Sequence, residues 1–401
     1  MPDPVALKRS LSLPVTSFYG IGTIIGAGIY VLIGKVGAVA GLFLPYAFLL
    51  AGIIAALTAL SYAELSSRFP HSAGSAAYIQ NAWQRRWLAQ LVGFLVAVTG
   101  IVSAATIANG FVGYLALFIQ IPDYLAITLL VALLTLIALW GINESALTVT
   151  VVTLIEVGGL LFVIYVCRQA PVANAWNQIF AFPDTGAWAG VLVGSFLAFY
   201  AFIGFEDMVN LAEEVRNPRR TLPRAIMIAI GVSTLLYMVV AALAVRTLPV
   251  PELAQSAAPL ATMVTNAGHS TNFIGIISMF AVVNGALVQI IMASRLLYGM
   301  AKRNLAPQIF AGISARTQTP VVSTVLVGGI ILVFALWLPL TVLAKITAFI
   351  MLVIFSLVNL SLFAIKVRGG ETEAGVIRYP IAFPALAFLL CVALIGFQLI
   401  A

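Results

Sequence analysis

The chain has 401 residues, of which 62% are hydrophobic and only 8% are charged. Soluble domains carry about 25% charged residues, so this composition excludes a soluble enzyme or a nucleic-acid-binding factor and predicts an integral membrane protein. The formal net charge of +7 is typical of a membrane protein whose loops are basic on one side. The two cysteines and two histidines predict neither a disulfide framework nor a metal site, and we expect no cofactor.

Eleven apolar runs approach or exceed the roughly 20 residues that a helix needs to cross a bilayer. We therefore expect an all-α polytopic membrane protein with a single transmembrane domain over residues 1–401. In chain order, the predicted spans are 13–33, 42–66, 88–118, 124–140, 146–166, 188–211, 225–244, 272–300, 321–337, 342–365 and 384–400.

Lysine and arginine predict the orientation of these spans, because cytoplasmic loops carry an excess of both. With the N-terminus in the cytoplasm, only Arg168 and Arg246 fall in outer loops, and the C-terminus lies outside the cell membrane. Three other basic residues, Lys35, Arg295 and Lys345, fall in spans or at their ends. The cytoplasmic segments then hold Lys8, Arg9, Arg68, Arg85, Arg86, Arg216, Arg219, Arg220, Arg224, Lys302, Arg303, Arg316, Lys366, Arg368 and Arg378.

Two segments between the spans are predicted to be more than simple linkers. Residues 70–87 combine His71, Tyr78 and Trp83 with two arginines, a composition typical of an interfacial helix at headgroup level. Residues 249–271 form a long outer loop, which is either a lid or a disordered connector, and the sequence favours neither.

The first span contains four glycines within nine residues, at positions 20, 22, 26 and 28. Glycine destabilises a helix by about 1 kcal/mol relative to alanine. The spacing loosely resembles a dinucleotide-binding loop, but such a loop follows a strand within a βαβ unit, which this context excludes. Two interpretations stay open for this span alone: a close packing face through Gly22 and Gly26, or an unwound segment whose backbone binds a ligand.

The sixth span is interrupted as well, by Gly204, Glu206 and Asp207 within an apolar run. It comes five spans after the first, and an odd number of spans reverses the topology of a repeat. Two interrupted helices at matching positions of inverted halves indicate the midplane site of a transporter. Helix N-termini there favour a carboxylate and freed carbonyl groups favour a cation, so the two interruptions suit a zwitterion such as a free amino acid.

Four motifs resemble those of the amino acid–polyamine–organocation superfamily. IGAGI at 25–29 resembles its glycine signature, and YAELSSRFP at 62–70 resembles the motif that closes its second helix. AEEVRNPRR at 212–220 resembles the motif after its sixth helix, and SRLLYGMAKR at 294–303 is similar to the end of the eighth helix in its cationic-amino-acid-transporter-like branch. The motifs follow the family order and are specific together, whereas each alone is weak.

The resemblance implies a leucine-transporter-type fold that works by alternating access, with helices 1 and 6 discontinuous. Residues 13–166 would form one five-helix repeat, 188–365 the inverted second repeat and 384–400 an extra helix, although most relatives have twelve spans. The amides of Ala27 and Gly28 would bind the substrate carboxylate. Carbonyls near Ile24, Tyr200 and Ile203 would bind the ammonium. The substrate-binding residues implied are Ile24, Gly26, Ala27, Gly28, Tyr200, Ala201, Phe202, Ile203 and Gly204.

Acidic residues within the spans are the candidates for coupling or gating. A carboxylate at membrane depth costs about 2.5–3.5 kcal/mol and usually faces the bundle interior, which makes Glu156 either a coupling or gating group or a structural hydrogen-bond acceptor. Some proton-coupled relatives carry a lysine at the position that Glu156 resembles, so glutamate departs from that pattern. Glu206 matches a gating or proton-sensing position in some relatives, and Asp207 is expected to cap the second half-helix.

The sequence therefore predicts a secondary active amino-acid permease, with a proton as the coupling ion and the lipid bilayer as its environment. Alternatives are an amino-acid exchanger and a transporter of cationic amino acids or polyamines. A membrane-embedded receptor or enzyme is a different class, but the spans contain no histidine cluster or Ser/Lys pair that would support an enzyme. The apolar lining suggested by Ala27, Tyr200, Ala201 and Phe202 favours neutral amino acids. Glu64, Glu213 and Glu214 are expected to form ion pairs that close an inner gate.

Overall fold

The computed structural model describes residues 9–70, 74–141, 146–302, 304, 306–314, 316–369 and 375–400. Lys8, His71 and Arg303, which the sequence analysis assigns to the cytoplasmic side, lie outside these residues. The described residues form α1 (Leu13–Ala40), α2 (Leu44–Arg68), α3 (Gly74–Trp83), α4 (Arg86–Leu115), α5 (Asp123–Trp140), α6 (Ala146–Cys167), α7 (Trp176–Ile179), α8 (Thr185–Ala198), α9 (Pro218–Thr247), α10 (Val250–Gln255), α11 (Pro259–Asn266), α12 (Asn272–Lys302), α13 (Val321–Trp337), α14 (Leu340–Arg368) and α15 (Ala382–Ile400).

The helices confirm the prediction of an all-α polytopic membrane protein. Nine stretches of the described chain are long and apolar enough to cross a membrane. One of them, Gly28–Arg68, joins the second half of α1 to α2, while Leu13–Gly26 and Val321–Trp337 are shorter apolar helices. Each of the eleven predicted runs falls on one of these helices, whereas the number that spans the membrane stays a prediction.

The long helices pack in pairs that join the two predicted halves of the chain. Contacts form between α2 and α9, between α4 and α12, and between α5 and α13, so each helix meets its counterpart five spans away. The interrupted first and sixth spans also contact each other, and Ile25 and Phe202 within them are 0% exposed. Both interruptions are therefore enclosed by protein rather than by lipid.

The segment that follows α9 is an ordered cap made of α10 and α11, which decides between the two interpretations of residues 249–271 in favour of a packed structure. Leu253 and Leu260 are fully buried, and Lys35 Nζ donates a hydrogen bond to the carbonyl oxygen of Ala254 at 3.3 Å. A Cβ at Gly34 would lie 2.6 Å from the carbonyl oxygen of Leu253, so the end of α1 meets the cap backbone directly. We call this side of the molecule the cap face.

The opposite side, where α1 begins and α2 ends, is called the N-terminal face. Within the predicted interfacial segment 70–87, the structure forms the shorter α3 and then begins α4 at Arg86. Tyr78 and Ile79 of α3 are buried, and Ser75 Oγ lies 2.6 Å from the hydroxyl of Tyr62 in α2. α3 is therefore held by contacts with the helix bundle.

One buried carboxylate joins three segments on the N-terminal face. Glu64 of α2 is 0% exposed and forms ion pairs of 2.7 Å with Arg68 and 2.7 Å with Lys366 of α14. It also accepts a hydrogen bond from the Tyr379 amide at 2.9 Å. A buried charge is tolerated only when partners of this kind compensate its lost hydration. Glu64 therefore has the ion pairs that the sequence predicted for it.

A second link on this face ties the residues before α1 to those after the sixth predicted span. Leu11 and Val215 form an isolated parallel bridge. In it, the Leu11 amide donates to the Glu214 carbonyl at 3.0 Å, and the Arg216 amide donates to the Leu11 carbonyl at 2.9 Å. Leu11, Val215 and Leu222 also belong to a small buried apolar cluster. The two interrupted spans are thus connected at their ends as well as at their interruptions.

Lys366→Met is expected to lower the thermal stability of the purified protein. Removing one partner of a buried ion pair costs about 3–5 kcal/mol, and Glu64 would keep only Arg68 as a cationic partner. The double variant Glu64→Gln with Lys366→Met should recover part of the loss, because no buried charge is left uncompensated. Lys302→Met, at an exposed lysine of α12, is the control. Equal losses at both lysines, or a double variant less stable than Lys366→Met, would contradict this account of Glu64.

Candidate functional site

The first interruption lies at Gly26 in the middle of α1. The backbone there has φ −13° and ψ −135°, far from helical values. A Cβ built on Gly26 would meet no neighbouring atom within 4 Å. The glycine therefore faces open space, and any side chain at this position would project into it.

The second interruption follows α8. A 3-10 turn, Phe199–Phe202, leads to Ile203 in an extended conformation and to Gly204 at φ 125°. Glycine adopts such a φ without steric cost, and a Cβ at Gly204 would overlap the carbonyl oxygen of Thr23. A second 3-10 turn, Phe205–Leu211, continues the span. Gly204 is thus required both by its own turn and by its close contact with α1.

The two interruptions lie against each other. A Cβ at Gly28 would be 2.5 Å from Cα of Ala201, so this glycine permits backbone-to-backbone contact. The Tyr237 hydroxyl of α9 lies 2.7 Å from the carbonyl oxygen of Ile24 and 2.9 Å from that of Ala201. A hydroxyl has one proton to donate, which these two carbonyls share. Tyr237 therefore satisfies carbonyl groups of both interrupted helices.

The adjacent carboxyl groups Glu206 and Asp207 have different surroundings. Glu206 Oε2 accepts a hydrogen bond from the Gly204 amide at 2.8 Å, whereas Asp207 lines a cavity between the helices. Asp207 is predicted to cap the second half-helix, but in the structure Glu206 is the residue that binds the backbone at the interruption. The direction of each side chain follows from the irregular backbone around Gly204, which the sequence pattern does not specify.

A cavity of about 90 Å³ lies against both interruptions and is bounded by α1, α4, α6, the sixth span and α12. The structure brings together in its wall the predicted residues Ile24, Gly26, Gly28, Glu156, Tyr200 and Ile203. The predicted residues Ala201, Phe202, Gly204 and Glu206 are not among its described lining residues. Phe202 packs edge to face with Tyr237 at a centroid distance of 5.2 Å. The Ala27 side chain lies outside the described part of the structure.

The wall is more polar than the sequence analysis predicted, which corrects the expectation of an otherwise apolar lining. The polar side chains of the wall that the sequence did not assign to the cavity are Tyr19, Thr23, Ser103, Thr148, Thr153, Asn284 and Gln289, together with Asp207, which was expected only to cap a helix. Ser103 Oγ lies 2.8 Å from the Tyr200 hydroxyl, so α4 orients the tyrosine. Polar residues inside apolar runs were an available signal for these positions, whereas no signal distinguished Tyr237 from a packing aromatic residue.

Glu156 presents an unpartnered carboxyl group to this cavity. It is 0% exposed, and neither carboxyl oxygen has a hydrogen-bond partner within the described residues. The Asn284 side chain is near in the same wall, outside normal hydrogen-bond geometry. The backbone, in contrast, is fixed: the Tyr30 hydroxyl donates to the Glu156 carbonyl at 2.6 Å, and the Tyr114 hydroxyl donates to the Tyr30 carbonyl at 2.6 Å. Hydrogen bonds thus fix the backbone at Glu156, while its carboxyl group has no hydrogen-bond partner in the described part of the chain.

Comparison with known proteins identifies the family. Residues 11–401 match the amino acid permease family, and the chain belongs to that family, as the motifs of the amino acid–polyamine–organocation superfamily predicted. It is 32% identical over 385 residues to a protein of Arabidopsis thaliana named cationic amino acid transporter 3, mitochondrial, covering 90% of this chain and 63% of the relative.

Bacterial relatives match over more of their own length. A branched-chain amino acid permease of Bacillus subtilis is 27% identical, and the match covers 97% of this chain and 88% of the relative. A methylthioribose transporter of the same organism is 28% identical, and the match covers 92% of this chain and 84% of the relative. In contrast, the chain spans 63%, 58% and 60% of the length of three plant cationic amino acid transporters. The names of these relatives describe transporters with different substrates.

Gly26→Leu and Gly28→Leu are expected to have different effects, although both glycines belong to one motif. Leucine at Gly26 would project into the cavity and should abolish substrate binding while the thermal unfolding midpoint stays near that of the parent. Leucine at Gly28 would clash with the Ala201 backbone and should destabilise the fold, as overpacking costs about 1–3 kcal/mol or more. Binding and thermal unfolding of both purified variants test this. Normal binding by Gly26→Leu would show that the cavity at this interruption is not the substrate site.

Proposed function

We propose that this protein is a secondary transporter of amino acids that works by alternating access between two inverted five-helix repeats. The observation that carries the proposal is a cavity at the junction of two interrupted helices, five spans apart, whose wall contains the Glu156 carboxyl group, which has no hydrogen-bond partner among the described residues. The pairing of α2 with α9, α4 with α12 and α5 with α13 supports the repeat. Membership of the amino acid permease family supports the substrate class.

The interruptions supply the groups that a zwitterion requires. The second half of α1 begins next to Ala27 and Gly28, and its amides would bind the substrate carboxylate. The ammonium is assigned to the carbonyl groups of Ile24, Tyr200 and Ile203, and the Ile24 carbonyl keeps a second lone pair although it accepts from the Tyr237 hydroxyl. Tyr200 already accepts a hydrogen bond from the Ile203 amide at 3.2 Å, but a carbonyl oxygen has a second lone pair for the ligand.

A cationic side chain on the substrate is a second candidate, favoured by the charges in the wall. Glu156 and Asp207 both line the cavity, and no lysine, arginine or histidine is among its described lining residues. Such a wall accommodates either an added proton or a positively charged side chain. A neutral substrate is consistent with a protonated wall, and a cationic substrate with an ionised one.

Uptake of labelled neutral and cationic amino acids into proteoliposomes, with and without a pH gradient, tests the function and separates these candidates. Asp207→Asn should lower the binding affinity for a cationic substrate by about tenfold or more, since a hydrogen bond to a charged group contributes about 1.5–3 kcal/mol. The affinity for a neutral substrate should stay largely unchanged. Uptake of no amino acid by a folded, reconstituted protein would refute the proposed function.

Glu156 is the proposed proton carrier. An ionised carboxylate without a partner is costly inside a membrane protein, and a neutral one is tolerable. Protonation should therefore accompany the states in which the cavity is sealed from water. Deprotonation should accompany the states in which the carboxyl group can be hydrated. This alternation couples the direction of transport to a proton gradient.

Glu156→Gln mimics the neutral form and is expected to retain amino-acid binding and exchange but to lose accumulation driven by a proton gradient. The matched control is Glu252→Gln, at an exposed carboxylate of α10 on the cap face, which should accumulate substrate as the parent does. The measurement is net uptake against exchange in the same proteoliposomes. Unchanged pH-dependent accumulation by Glu156→Gln would exclude Glu156 as the carrier and direct attention to Asp207 and Glu206. Exchange without net uptake by the parent would favour the alternative of an obligate exchanger.

We also propose that the N-terminal face is cytoplasmic, in the cytoplasmic membrane, and that its links form the inner gate. The excess of lysine and arginine on this side supports the orientation. The Glu64 ion pairs join α2 to α14, and the bridge between Leu11 and Val215 joins the ends of the two interrupted spans. Opening toward the cytoplasm would either break these links or move the linked segments together. The links would therefore contribute to the stability of the closed state on this side.

A further inference from the structure

A second cavity, of about 710 Å³, lies on the N-terminal face between α3, α4, α12 and the end of the sixth span. It is separate from the cavity at the interruptions, with which it shares no lining residue. Two arginines, Arg86 of α4 and Arg295 of α12, line it. Neither guanidinium forms an ion pair with another described residue, and no acidic residue is among the described lining residues.

The remaining polar wall of this cavity consists of carboxamides, contributed by Gln80, Asn81, Gln90 and Asn210. Their amide groups can donate hydrogen bonds without bringing a negative charge. A guanidinium presents its donors in a planar fork that matches phosphate oxygens. Two such forks, four neutral donors and no competing carboxylate favour an anion with several acceptor oxygens.

The depth of the cavity indicates where such an anion comes from. Arg86 is the first residue of α4, and Arg295 lies seven residues before the end of α12, and long basic side chains at such positions extend toward the headgroup level of a membrane. Beside the cavity, Trp87, Leu91 and Phe94 of α4 are 61%, 44% and 51% exposed. Their spacing places them on one face of the helix, where apolar exposure of this extent is typical of contact with lipid chains. A headgroup site thus adjoins a surface for the acyl chains.

We propose that this cavity binds the phosphate-bearing headgroup of an anionic phospholipid, with its acyl chains along the exposed face of α4. Basic pockets between transmembrane helices bind such headgroups in membrane proteins. Asn210 belongs to the interrupted sixth span, whereas Arg86 and Arg295 belong to α4 and α12. A headgroup held by all three stabilises the arrangement in which they converge, because a ligand favours the conformation that binds it better. The lipid therefore acts on the relative position of the sixth span and the helices that face it.

The test is thermal unfolding of the purified full chain in detergent, titrated with short-chain phosphatidylglycerol, short-chain phosphatidylcholine or inorganic phosphate at constant ionic strength. Phosphatidylglycerol should raise the unfolding midpoint saturably, and the other two additives should not. The double variant R86Q/R295Q should require about tenfold more phosphatidylglycerol for half-saturation, or respond not at all. R85Q/R316Q is the matched control. It removes the same charge from two exposed arginines that do not line the cavity, and it should respond as the parent does.

Gly299→Leu supplies an independent variant that keeps both arginines. A Cβ at Gly299 would meet no neighbouring atom within 4 Å, and this glycine lines the cavity, so leucine should project into the cavity, obstruct a headgroup and weaken the response without disturbing the fold. Stabilisation by inorganic phosphate at equal concentration would overturn the assignment to a lipid and leave a site for a free anion. Equal responses of the parent, R86Q/R295Q and Gly299→Leu, or an equal effect of phosphatidylcholine, would overturn the site itself.

Discussion

Backbone polar groups that leave a helix inside a membrane must find partners in the protein, because lipid offers none. The centre of this molecule is arranged around that constraint. Tyr237 serves the carbonyl groups of Ile24 and Ala201, and Glu206 accepts from the Gly204 amide. The interruptions are tolerable because α9 and the sixth span itself satisfy these groups. Backbone polar groups at the interruptions that these residues do not satisfy are available to a ligand in the cavity. The interruptions therefore form a candidate binding site.

The two carboxyl groups Glu64 and Glu156 are both fully buried, yet they have opposite surroundings. Glu64 has two cations and a backbone amide within hydrogen-bond distance, so it is suited to a fixed charge that holds segments together. Glu156 has no hydrogen-bond partner among the described residues and faces a cavity. A group in that position is costly when ionised and sensitive to the entry of water. The same type of side chain therefore holds segments together on the N-terminal face and is proposed to carry the coupling proton in the centre.

The two faces of the molecule are closed by different means. On the cap face, α10 and α11 pack on the end of α1 through buried leucines and a close backbone contact at Gly34. On the N-terminal face, ion pairs and a single backbone bridge connect segments that lie far apart in the chain. Because Glu64 and Val215 are 0% exposed, separating the links on the N-terminal face would require water to reach a buried carboxylate or a new partner to compensate its charge.

The sequence by itself determined the membrane class, the approximate positions of the long helices and the places where two of them are interrupted. Each of these follows from local composition: apolar runs of sufficient length, and glycines or carboxylates that a buried helix disfavours. Tertiary structure alone decided that Asp207 rather than Glu206 faces the cavity, that Tyr237 joins the two interruptions, and that Gly26 leaves space while Gly28 closes it. These outcomes depend on side-chain directions along an irregular backbone and on contacts between residues more than a hundred positions apart. Helical periodicity does not define direction at an interruption, and composition does not specify which distant helix will supply a partner.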